Sequence, residues 1–112
     1  MKTAPALRVG YKVKFSEEKQ RYTVRGVTSD GRFAVCTKPM NLYHTVLYSI
    51  IDFESGVRGP DDLVFSFGYE TDDQIAKALA WLEAGDVGVS RRRCAVLNIE
   101  SVWDDTGAAV NG

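Results

Sequence analysis

The stretch Arg21-Tyr22-Thr23-Val24-Arg25-Gly26-Val27-Thr28-Ser29-Asp30-Gly31-Arg32-Phe33-Ala34-Val35-Cys36-Thr37-Lys38 carries two strands and the turn between them. Its first part alternates with period two, which turns Tyr22 and Val24 inward and Arg21, Thr23 and Arg25 outward. Gly26 interrupts the pattern and predicts a bulge or bend, since a strand glycine has no side chain to pack. Asp30-Gly31 suits the positive φ of a hairpin turn, and the segment from Arg32 to Lys38 then returns as the next strand, with Phe33 and Val35 toward the core.

Upstream, Tyr11-Lys12-Val13-Lys14-Phe15 alternates in the same way, with Lys12 and Lys14 outward, and the polar segment 16–20 is a turn. Downstream, Lys38-Pro39-Met40-Asn41 breaks the sheet, because proline has no amide to donate. The β-rich run from His44 to Phe53 lacks alternation and reads as a central strand covered on both faces. These segments, joined by short turns, make an antiparallel meander. Residues 54–63 read as a loop, and 64–69 as a short strand.

The period changes after Glu70. Thr71 is an N-cap with Gln74 at capping-box spacing, and Asp72 and Asp73 suit the positive end of the helix dipole. Ile75, Ala78, Leu79 and Leu82 share one face, Trp81 lies on its edge, and Gly85 is a natural stop, which predicts one long helix over 72–84. Ala95 to Ile99 with Val102-Trp103 forms one final strand. The expected fold class is α+β, a small twisted β-meander or half-barrel with that helix packed on it. The 112 residues suit one domain over 1–112, with an ordered core at 9–103, a loose arm at 1–8 and a fraying tail at 104–112.

Composition narrows the function. Apolar residues make up 45% of the chain and charged residues 26%, which suits a globular protein rather than a disordered one. No apolar run approaches the ~20 residues that span a bilayer, and the N-terminus has no apolar core of signal-peptide length. The expected location is the cytoplasm, with no membrane partner. Cys36 and Cys94 lie far apart and outside any CxxC, so they read as half-buried thiols. His44 is the single histidine and has no ligand-spaced neighbour, so neither a metal nor another cofactor is expected.

No nucleophile elbow, P-loop, zinc-protease or dinucleotide signature occurs, and the chain reads as a non-enzyme. Asp61-Asp62, Asp72-Asp73 and Asp104-Asp105 are paired carboxylates, but a turn, a helix start and a tail account for them. Charge is segregated along the chain: residues 1–49 carry +6 and residues 50–86 carry −7. Lys12, Lys14, Arg21 and Arg25 share an outer strand face, which Arg32 extends, and Tyr43 or Tyr48 could stack a base beside it. Arg91-Arg92-Arg93 is a second basic element. The loop Gly56-Val57-Arg58-Gly59-Pro60-Asp61-Asp62 is a third candidate, with Arg58, Asp61 and Asp62 as its binding residues.

Two resemblances follow from these residues. Val9-Gly10-Tyr11-Lys12-Val13-Lys14-Phe15 with Arg21-Tyr22-Thr23-Val24 is similar to the entrance of SH3-like barrels of the KOW and Tudor kind. The longer set Arg21 to Val24, Phe33 to Pro39, Thr45 to Tyr48, Ile51 to Phe53 and Gly56 to Asp62 resembles small proteins encoded by bacteriophages and prophages, over roughly residues 9–102. That resemblance implies a phage origin and a site of action in the host cytoplasm, and carries no catalytic residues. The resulting expectation is an accessory protein that binds a macromolecule: a protein, or a second copy of itself. The alternative is a nucleic-acid-binding module that uses the basic face.

Overall fold

The fold was described from a computed structural model, which describes residues 7–16, 18–39, 46–54, 56–59, 67–68, 72–84, 95–96 and 98–110. The chain forms β1 (Lys12–Phe15), β2 (Tyr22–Val27), β3 (Phe33–Pro39), β4 (Val46–Asp52), β5 (Val57–Gly59), β6 (Phe67–Gly68), α1 (Asp72–Glu83), β7 (Ala95–Val96) and β8 (Ile99–Trp103). The sheet runs β7-β5-β4-β3-β2-β1-β8, with β6 beside β4, and every pairing is antiparallel. β1 to β4 are thus successive neighbours, the four-segment meander expected, and β5 extends it from within the stretch read as a loop.

The sheet curls into a half-barrel. Val96 pairs with Val57 at one edge and Ile99 pairs with Phe15 at the other. Residues three apart can span no more than about 11 Å, so the two edges stand close together. One strand had been expected over 95–103. Two short strands on opposite edges replace it, because the chain steps across the opening there.

Two apolar clusters fill the two faces of the sheet. Inside the curl, Val13, Phe15, Tyr22, Val24, Ala34, Cys36, Ile51 and Val102 pack together with Leu7. On the outer face, Phe33, Val35, Tyr48 and Ile50 lie under Ile75, Ala78 and Leu82 of α1. Fully burying a side chain of this size contributes about 1.5–3 kcal/mol. β3 therefore buries both faces, from Phe33 to Thr37, and is as central as β4. The proline expected to break the sheet is the last residue of β3, opposite Val46, where the missing amide costs little.

The bulge in β2 joins the two clusters. Val24 pairs with Cys36, yet Gly26 pairs with Val35, so Arg25 is the extra residue and the strand changes face. Gly26 then lies under the helix, where a Cβ would fall 2.5 Å from Leu79 Cδ1. A side chain at this position would have to displace that of Leu79. The hairpin that follows is held as its sequence suggests: Gly31 has φ +75°, and Asp30 Oδ1 accepts from Thr28 Oγ1 at 2.7 Å and from the Arg32 amide at 2.9 Å.

Parts of the expected arm and tail make contacts with the sheet. Leu7 is buried, and the tail turns back on β8 as far as Val110. Asp104 Oδ1 accepts from Thr106 Oγ1 at 2.6 Å and from the Ala108 amide at 3.0 Å, and Ala109 bridges to Trp103. Thr71 and Gly85, the expected cap and stop of the helix, lie outside the described residues. No helix among the described residues is long and apolar enough to cross a membrane.

Candidate functional site

The outer face of β1, β2 and β8 gathers part of the basic group expected there. Lys12 is the cross-strand partner of both Thr23 and Trp103, and Lys14 of Ser101, so these side chains share one face. Lys12 Nζ donates to Thr23 Oγ1 at 2.6 Å, and Lys14 Nζ donates to Glu100 Oε1 at 3.0 Å. The Arg21 guanidinium lies 3.7 Å from the centroid of the Trp103 ring, inside the range of a cation–π contact. Arg25, at the bulge, is half-buried and already engaged.

Arg32 does not extend this face. Its Nε and NH2 hold the two oxygens of Asp52 at 3.0 and 3.1 Å, as a planar guanidinium fork grips a carboxylate. Asp52 is buried at the end of β4, so the fork ties the Asp30-Gly31 hairpin to its neighbour. Tyr48 cannot stack a base: it is buried under α1 and its hydroxyl donates to Gln74 Oε1 at 3.2 Å. Tyr43, Arg91, Arg92, Arg93, Asp61 and Asp62 lie outside the described residues.

Arg58 departs furthest from its expected place. It belongs to β5, opposite Ile51, and its side chain enters the half-barrel instead of an exposed loop. The guanidinium lies 3.9 Å from the Phe15 ring centroid, and NH1 is 3.1 Å from Glu18 Oε2. Glu18 Oε1 accepts from Lys38 Nζ at 2.9 Å and from the Tyr22 hydroxyl at 3.0 Å. Burial, with the Glu18 carboxylate beside it, pushes the Tyr22 phenol well above its ordinary value, so the hydroxyl keeps its proton. Burial likewise pushes the Cys36 thiol up to about 12. Cys36 is therefore a neutral wall of this interior and a poor nucleophile.

Sequence reasoning missed three members of these groups. Trp103 had a signal, since alternation with buried Val102 turns it outward. Lys38 is in phase with Ala34 and Cys36, which face the inner cluster, and a strand with two apolar faces hides that phase. Glu18 reads only as a turn residue. No group of three His, Cys, Asp or Glu residues that could hold a metal ion occurs among the described residues. Comparison with known protein families, with curated proteins and with solved structures found no match for this chain.

Proposed function

We propose that the chain is a non-enzymatic binding module, a phage-encoded small barrel of the SH3-like kind, acting in the host cytoplasm. Its docking surface is the outer face of β1, β2 and β8, and its partner is a protein or a second copy of the chain. The observation that carries this reading is the Arg21–Trp103 stack at 3.7 Å. Arginine and tryptophan are the side chains that most often dominate a protein interface, and stacking holds both in place before a partner arrives. Lys12 and Lys14 border the pair, so the complementary surface is acidic with an apolar slot. The segment 50–86 carries −7 in sequence, opposite in sign to this face, which makes a second copy a fitting partner.

A nucleic-acid reading rests on the same face, because Lys12, Lys14 and Arg21 surround an indole that a base could stack on. Salt separates the two readings. Sedimentation of the full chain across a concentration series, with Arg21→Ala and Trp103→Ala as controls, reads self-association. Fluorescence anisotropy with single-stranded DNA, duplex DNA and RNA at low and physiological salt reads the alternative. A wild-type dimer that both variants dissociate, with no nucleic-acid binding, supports docking on this face. Salt-sensitive binding that persists at physiological ionic strength and is abolished by Lys14→Glu with Arg25→Glu supports the alternative. Nucleic-acid affinity retained in that double variant removes the face as its site.

A further inference from the structure

Inside the half-barrel, away from the strand face, Lys38, Arg58, Tyr22 and Glu18 meet. Tyr22 and Arg58 are buried and Glu18 and Lys38 half-buried, and stability alone does not account for such a cluster, because well-packed apolar side chains of similar volume commonly match or exceed a buried ion cluster. Two observations point to a ligand. The first is Ser49, which is 2% exposed and whose buried hydroxyl has no hydrogen-bond partner. Ser49 is opposite Cys36, two residues from Lys38 along β3, and is itself two residues from Ile51, which is opposite Arg58. It therefore projects into the interior from between the strands that carry the two cations. A donor so placed calls for an acceptor.

The second is Glu18 itself. Its Oε1 takes both the Lys38 and Tyr22 hydrogen bonds, while its Oε2, 3.1 Å from Arg58 NH1, has no hydrogen-bond donor. The carboxylate present is thus held by hydrogen bonds through one oxygen, and through the other only by the charge of Arg58. Glu18 comes from the turn after β1, where its amide donates to the Phe15 carbonyl, so the side chain can swing out with every strand pairing intact. The side chains of Glu18 and Lys38 are 21% and 15% exposed and stand at the mouth, and that of Arg58, at 8%, lies deeper.

We propose that this interior is a carboxylate-binding site in which Glu18 is a built-in stand-in. A ligand carboxylate replaces it on Lys38, Arg58 and the Tyr22 hydroxyl, and accepts from Ser49 as well. The Cys36 thiol stays neutral and does not compete for the cations. Such a carboxylate has two sources, a small organic acid or the C-terminus of a bound polypeptide, and both present the same two oxygens.

The test is chemical rescue of Glu18→Ala in the full chain. Thermal unfolding is followed with acetate, chloride or acetamide at equal concentration, and ¹⁵N-labelled protein is titrated with each. The expected result is a Tm for Glu18→Ala below wild type that acetate raises by several degrees and chloride and acetamide do not. Acetate should also shift the Ser49 and Lys38 amides saturably, and Ser49→Ala should weaken that binding about threefold or more, as loss of one net hydrogen bond does. N-acetyl-glycylglycine against its C-terminal amide separates the sources. Tighter binding than acetate, lost in the amide, assigns a polypeptide end; affinity equal to acetate assigns a small acid. Rescue by chloride as strong as by acetate, or acetate affinity unchanged by Ser49→Ala, overturns the proposal. Should Glu18→Ala not fold, the wild-type titration decides: saturable shifts at Ser49 and Lys38 with acetate alone support the site, and their absence overturns it.

Discussion

The Arg58 guanidinium lies 3.9 Å from the centre of the Phe15 ring, and this contact joins β5 to β1 across the interior of the half-barrel. Ile51 sets Arg58 at its register on one side, and Val13 and Val102 set the neighbouring register of β1 and β8 on the other. The contact is thus one place where the curl of the sheet is held by side chains rather than by a strand ladder. Glu18 closes it from the turn after β1, at 3.1 Å.

Arg58→Ala removes both the stack and the deeper cation. Arg58 and Glu18 are both well under a third exposed, so the loss is not screened as a surface pair would be. We expect a cost of about 3 kcal/mol, in the range for breaking a buried pair, measured by urea denaturation against wild type. Arg58→Lys should recover only part of it, because an ammonium cannot lie flat on the Phe15 ring. A cost below about 1 kcal/mol would mean that the pair behaves as a solvated one.

Gly26→Ala should destabilise by about 1–3 kcal/mol through overpacking, since the new methyl would meet Leu79 Cδ1. Leu79→Ala removes the obstructing atoms, so the two substitutions together should cost less than their sum by about 1 kcal/mol. Strict additivity in that double-mutant cycle would show that α1 does not press on the bulge.

Cys36 should be inert in the folded protein. Burial holds its thiol near 12, so almost no thiolate exists at pH 8. In a Cys94→Ser background, labelling by an aromatic disulfide should follow the unfolding equilibrium and accelerate with urea. Rapid stoichiometric labelling without denaturant would contradict the burial.

The Asp104 turn should loosen in acid. The Thr106 hydroxyl, then the Ala108 amide, hold its carboxyl below the ordinary 3.8. A carboxylate depressed on folding contributes fully above its unfolded value, and its contribution fades as pH falls through the lower folded one. The Thr106 and Ala108 amide resonances should therefore titrate together with a midpoint under 3.8, and Asp104→Asn should abolish the shared transition. A midpoint at or above that value would mean that the turn does not favour the charged form.

What was legible in the residues follows the range of the forces involved. Alternation at Tyr11–Phe15 and Arg21–Val24 sets which side chains face the core, because a strand repeats every two residues whatever lies beside it. The Asp30-Gly31 turn, the bulge at Gly26 and the apolar stripe from Ile75 to Leu82 are equally local. Lys12, Lys14 and Arg21 were placed on one face by that same period.

The rest depended on partners far away in the chain. Nothing within Gly56-Val57-Arg58-Gly59 marks Arg58 as buried. Its place comes from Ile51 beside it, Phe15 beneath it and Glu18 across from it. The division of 95–103 into β7 and β8 likewise follows from closure of the sheet, which brings both edges to one short stretch of chain. By itself, then, the sequence determined the meander, its inward faces and the helix that packs on it, since propensity, turn chemistry and side-chain period act over a few residues. A half-barrel was among the forms the sequence led one to expect, but which side chains its closure brings together, and with them the ionic interior, was decided only in the tertiary structure. There, burial makes an unpaired charge costly, so each charged group is settled by whichever remote side chain can reach it.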